Sequence, residues 1–161
     1  MMGWDDRFEA GYRMALLLLA YVRASKLELG RTAALELLEQ VAERMGRSEG
    51  TQTLRGAGDH PADALLASEA LARCLRRLGV GVRIDAATPS RVAGWVLRPC
   101  PFHEAARTLK MEDPCAHLCP AFGRALVKAV NPRLEFGHAI LEDDQGACRA
   151  AITEQDSPSK G

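Results

Sequence analysis

The sequence predicts an α+β fold, with an antiparallel four-stranded sheet packed with helices and a helical N-terminal half. Three observations predict it. Apolar side chains recur at three- and four-residue steps through most of residues 4–78, which is helix periodicity. After Gly79 the pattern changes to alternation, and alternating stretches come in two pairs, 80–85 with 92–97 and 134–140 with 148–152. The resulting order of three helices, two strands, two helices and two strands suits helices packed on an antiparallel sheet, not a wound parallel fold. A chain of 161 residues holds one core. Residues 1–153 are therefore expected to form a single domain, and residues 154–161 a polar, disordered tail.

Each element has its own signal. Phe8, Tyr12, Ala15, Leu16 and Leu19 mark a first helix over 4–25. It is apolar on more than one face near Leu16–Leu19, so a second copy of the chain is expected to cover it in a homodimer. Gly30 separates it from a second helix over 31–47, striped by Leu35, Leu38, Val41 and Met45. Residues 48–60 are polar, carry Gly50, Gly56 and Gly58, and read as a loop. Pro61 suits the first position of a third helix. Ala64, Ala67, Leu71, Cys74, Leu75 and Leu78 line its inner face, Arg73, Arg76 and Arg77 suit its end, and Gly79 stops it. Pro89-Ser90 turns the first strand pair. A short helix over 101–109 and a longer one over 115–130 follow. Asn131-Pro132 ends the longer helix, since asparagine tolerates a left-handed cap and proline cannot continue. The acidic stretch Glu142–Gly146 joins the last two strands.

Composition excludes several function classes. A formal net charge of zero argues against nucleic-acid binding and against polybasic attachment to membranes. The longest apolar run, Met14–Val22, is too short to span a bilayer. Asp5, Asp6 and Glu9 precede it where a signal peptide needs positive charge. These features predict a cytoplasmic protein. Its five cysteines are then thiols, metal ligands or catalytic groups before they are disulfides.

Two cysteines directly precede prolines, in Cys100-Pro101 and Cys119-Pro120. Proline favours the first helical position, which places the preceding thiol beside unpaired backbone N–H groups. That setting favours thiolate, the nucleophilic and metal-binding form. Asp113-Pro114 is an equally good helix start. From there Pro120 would lie inside the helix, and Cys115 and Cys119 would share one face. Cys115-x-His117-x-Cys119 has ligand-type residues without a zinc-finger spacing. Cys74, on an apolar stripe, reads as a small buried hydrophobe. Glu104 suits the first turn of its helix and is also placed as an acid or base beside Cys100. His60 reads as a turn residue and His138 as a packed strand residue.

The C-terminal stretch, with Cys100-Pro101-Phe102, then Cys119, then Asn131-Pro132-Arg133-Leu134-Glu135-Phe136 and Cys148, resembles the L-2-amino-thiazoline-4-carboxylic acid hydrolase family. The resemblance covers residues 96–152 well, and residues 4–48 only in helical character. It implies a small bacterial protein that opens a thiazoline ring at a carbon–nitrogen bond. One departure stands out. The family pattern places an acidic residue shortly after the second cysteine, whereas here Pro120-Ala121-Phe122-Gly123-Arg124 follows Cys119. The order of cysteines is also similar to the sensor half of iron–sulfur-binding repressors and to 4-vinyl-reductase-type small-molecule-binding domains.

Three functions follow from the resemblance. The first is a hydrolase acting on a small molecule with Cys100, Cys119 and Glu104 in catalytic roles. The second is a metal protein, catalytic or sensory, whose thiolates hold an iron–sulfur cluster or zinc. Its ligands would come from Cys100, Cys119 and Cys148, with Cys115, His117 or His103 completing the set. The third is a small-molecule-binding domain without chemistry.

Overall fold

The computed structural model describes residues 3–111, 114–140 and 148–155. Its elements are α1 (Trp4–Leu29), α2 (Arg31–Gly56), α3 (Ala64–Arg77), β1 (Val82–Thr88), β2 (Arg91–Val96), α4 (Pro101–Thr108), α5 (Cys115–Val130), β3 (Leu134–Ile140) and β4 (Cys148–Glu154). The fold is α+β. The four strands run β1-β2-β4-β3 across the sheet, every neighbouring pair antiparallel. The acidic stretch 142–146 lies outside the described residues. So does the tail from 156. Glu154 and Gln155, expected in that tail, are instead tied into the sheet. Glu154 lies within β4, and the Gln155 N–H donates to the Arg133 carbonyl at 2.9 Å. No helix among the described residues is long and apolar enough to cross a membrane.

The largest difference from the sequence reading is α2, which runs on to Gly56 through the stretch expected to be a loop. Gly46 and Gly50 are buried in it. A methyl group at Gly46 would strike the Phe122 carbonyl oxygen, and one at Gly50 the Leu126 carbonyl oxygen. These glycines are therefore contact points where α2 lies directly against the backbone of α5. Their packing outweighs the helix propensity cost of about 1 kcal/mol per glycine. The third helix also starts later than Pro61. Asp63 is its N-cap, with its carboxylate accepting the Leu66 N–H at 3.0 Å. Asn131 ends α5 in extended backbone (φ −152°), not in a left-handed cap. Its side chain ties the turn down instead, donating to the Ala62 carbonyl ahead of α3 at 2.8 Å and accepting from the Arg133 N–H at 2.9 Å. Gly30 (φ 84°) breaks α1 from α2 as expected.

The sheet has one covered face and one open face. On the covered face, Val92, Leu134 and Ile152 pack with Ala64, Ala67 and Ala70 of α3 and with Leu126, Val127 and Val130 of α5. α2 lies against α5, and α4 docks on α1 through Ala15, Leu19, Ala105 and Ala106. The Tyr12 hydroxyl and the Thr108 hydroxyl are hydrogen-bonded at 2.9 Å across that contact. On the open face, the Trp95 ring lies between the guanidinium groups of Arg83 and Arg149, 5.4 and 6.0 Å from its centroid, and its N–H donates to Asp85. α1 buries Ala15, Leu19 and Val22 but leaves Met14, Leu17, Tyr21 and Leu27 exposed, Leu17 by 75%.

Candidate functional site

One end of the sheet collects four of the five cysteines. Cys148 opens β4 and pairs with Val96, the last residue of β2, and with Ile140, the last of β3. Cys100 lies four residues beyond Val96, at the head of α4. α5 reaches the same end because it runs antiparallel to β3, to which it is joined by a three-residue turn. The alignment has a fixed point. Gly123 of α5 sits against the ring of Phe136, which allows no side chain there. One helical turn back from Gly123, about 6 Å, is Cys119; two residues forward from Phe136, about 7 Å, is His138. These steps carry the N-terminal half of α5 toward the Ile140 end of β3.

The individual environments differ. Cys100 is the N-cap of α4, in extended backbone with Pro101 at the first helical position, and its carbonyl accepts the Glu104 N–H at 3.0 Å. Cys100 therefore holds the helix-head position expected of it. Cys119 does not. α5 begins at Cys115, so Cys119 lies in the second turn and Pro120 inside the helix. Proline has no N–H to give the Ala116 carbonyl, and its ring crowds that group. Cys115 is buried, while Cys100, Cys119 and Cys148 are half-buried. Glu104 is engaged in a salt bridge with Arg107 at 3.0 Å on its own helix.

His117 is turned away from the cysteines on either side of it. Two residues on a helix are separated by about 200° of rotation, so Cys115 and Cys119 share a face that His117 does not. Its Nδ1 lies 2.6 Å from Oε1 of Glu39 on α2. Among the described residues, no three His, Cys, Asp or Glu side chains gather into a group able to hold a metal ion. The described residues of the set expected from sequence (Cys100, Cys119, Cys148, Cys115, His117 and His103) therefore do not form such a group.

Cys74 sits apart from the others. It packs at the margin of the core, and its thiol lies 3.6 Å from Oε2 of Glu49 on α2. Burial, together with the adjacent Glu49 carboxylate, pushes its pKa up to about 11, so it remains a neutral thiol. Its sequence reading as a packed side chain holds. Two hollows are formed by the described residues. The wider one, about 500 Å³, is lined by residues of α2 alone, among them Arg44, Arg47 and Arg55, and has no second wall. The other is an apolar crevice of about 30 Å³ between α3 and the sheet, bordered by Ser68, Leu71, Gly94 and Ala150. It has room for water but not for a substrate ring.

His138, read from the sequence as a packed strand residue, lies in β3 and packs there. Leu134, Phe136, His138 and Ile140 are the more covered positions of β3 and alternate with exposed Gly137 and Ala139. The period-two pattern was the available signal, since it places His138 on the same face as Phe136. Its ring stacks on the Phe136 ring with centroids 6.4 Å apart. Direct pairing puts Ala150 beside it, Gly94 beyond, and then Ile84 of β1.

A family model described as L-2-amino-thiazoline-4-carboxylic acid hydrolase matches residues 11–142. The match takes in most of the helical N-terminal half as well as Cys100 and Cys119, and it stops short of Cys148. No curated protein matches the chain. With well over half its length matched, the chain belongs to the L-2-amino-thiazoline-4-carboxylic acid hydrolase family.

Proposed function

We propose that this protein hydrolyses a carbon–nitrogen bond in a small cyclic amidine such as L-2-amino-thiazoline-4-carboxylate, with Cys119 as nucleophile. The observation that carries this reading is the family match over residues 11–142, which includes Cys119 where α5 meets the cysteine-bearing end of the sheet. The carbon between the nitrogens of a cyclic amidine is electrophilic. The Cys119 thiolate adds to it, the ring carbon–nitrogen bond breaks, and the departing nitrogen takes a proton. Water then adds to the same carbon, and Cys119 leaves as thiolate. The net reaction consumes one water and opens the ring. Cys100 is held near the same place and is the second candidate thiol. Glu104, bound to Arg107, is a weaker candidate for the acid.

Incubating the purified protein with L-2-amino-thiazoline-4-carboxylate and following ring opening by mass spectrometry tests the proposal. Wild type should turn over, Cys119→Ser should be at least about 100-fold slower, and Cys74→Ala should match wild type. A wild-type protein that binds the compound without opening it would replace the enzyme with a binding domain. The exposed apolar stripe of α1 further supports a homodimer in which a second copy covers it, which light scattering on wild type and Leu17→Glu tests.

A further inference from the structure

We infer that the exposed stripes of α1 and α2 form one apolar face, and that the α1–α2 pair of a second copy occupies it. The inference rests on the homodimer reading and extends its contact from one helix to two. Among the described residues, every exposed large hydrophobic side chain except Leu65 and Ile84 belongs to these helices. Met14, Leu17 and Tyr21 fall within about 60° of one another around α1, and Leu37, Val41 and Met45 within about 80° around α2.

The fold sets both stripes on one side. Val22, eight residues before Gly30, shares a cluster with Leu38, eight residues after it, and with Ala42. Residues equally distant from Gly30 are therefore level, which sets Leu17 beside the stretch from Val41 to Met45. On both helices the packed residues lie on one side of this contact, Ala15 and Leu19 toward α4 and Gly46 and Gly50 toward α5. The exposed stripes lie on the other side.

Size and charge fit a second copy. Two helices of 26 residues, each about 39 Å long and packed about 10 Å apart, offer a face of about 800 Å². One partner contributes about 800 Å² to a stable interface, and α1 alone offers about half of that. Each helix is net acidic in its first half and net basic in its second. On α1, Asp5 and Asp6 precede Arg23 and Lys26; on α2, Glu36 and Glu43 precede Arg47 and Arg55. An antiparallel neighbour from a second copy, whichever of the two helices it is, meets each half with the opposite charge. A bilayer would call for a basic excess around the face, and in residues 4–56 acidic and basic residues balance.

Three residues test the face against mere exposure. Val41, Leu54 and Leu65 are almost equally exposed, at 39%, 41% and 40%. Val41 lies on the face. Leu54, nine residues on from Met45, is on the opposite side of α2, and Leu65 is on α3. Glutamate is placed at each in turn in the full chain. The dissociation constant of the dimer is measured by analytical ultracentrifugation beside wild type and Leu17→Glu, with circular dichroism reporting the helices. Val41→Glu should raise it at least about tenfold, and Leu54→Glu and Leu65→Glu should change it by about twofold or less. Should Val41→Glu lose its fold, Met45→Lys, at a more exposed place on the same stripe, takes its place. If wild type dimerises and Leu17→Glu alone dissociates it, the homodimer reading stands and the share of α2 in the contact is refuted. An equal loss in all three glutamate variants would also overturn the inference, because exposure and not the face would then decide. A wild type that stays monomeric at micromolar concentration overturns both readings.

Discussion

The two halves of α5 do different work. From Ala121 to Val130 the helix is a packing element. Ala121, Leu126 and Val127 are fully buried, Gly123 admits the Phe136 ring, and α2 presses Gly46 and Gly50 onto its backbone. From Cys115 to Pro120 it carries two thiols on one face, a histidine on the other and a proline that interrupts its hydrogen bonding. The packed half sets the position of the thiol-bearing half. Rigid placement of a few groups is how a small fold supports chemistry, and here the rigidity comes from glycines that let backbones touch.

If that division is right, the largest effects on stability should come from the packed half. Gly50→Val puts a branched side chain where even a methyl group meets the Leu126 carbonyl, and should destabilise by about 3 kcal/mol or prevent folding. Urea unfolding measures it, and a loss within experimental error would mean that α2 and α5 can separate freely. Leu126→Ala removes a fully buried side chain and should cost about 2–5 kcal/mol. Cys119→Ser, in the thiol-bearing half, should leave the unfolding midpoint nearly unchanged while abolishing turnover. A large drop in stability would instead make Cys119 a core residue.

The alkaline behaviour of Cys74 sharpens the contrast between a packed thiol and a working one. Its folded pKa is raised to about 11 from the ordinary value of 9.0. Below pH 9 both folded and unfolded chains keep the proton, and the stabilisation is fully present. Between 9 and 11 the unfolded chain loses the proton that the folded chain retains, so stability falls as pH rises. At a half-buried, partly screened site the fall should be about 1 kcal/mol. Cys74→Ala should flatten this part of the stability profile, and an unchanged slope would assign it to other groups. The smallest expected effect is at the half-exposed Glu39–His117 pair. Glu39→Gln should change stability by about 0.5 kcal/mol or less and leave turnover intact, because the pair lies on the far side of α5 from the cysteines.

Local pattern carried much of this molecule. The change from helical to alternating periodicity after Gly79 identified the sheet, and the bounds of α5 and β3 fall where the sequence placed them, because strand and helix periods differ sharply. Pro101 located the head of α4, since proline's fixed backbone angle suits that position. Family resemblance was legible in the cysteine and Asn-Pro motifs for the same local reason. What the sequence could not decide was whether a glycine bends the chain or lets another helix approach. Gly46 and Gly50 belong to a continuous helix because α5 lies across them, a contact between residues some 75 apart in the chain. The site was undecided in the same way. Cys119 looked like a helix-head thiol. Only the tertiary structure decides that α5 begins at Cys115 and lies on β3 where Gly123 meets Phe136, because that contact depends on the packing of two elements.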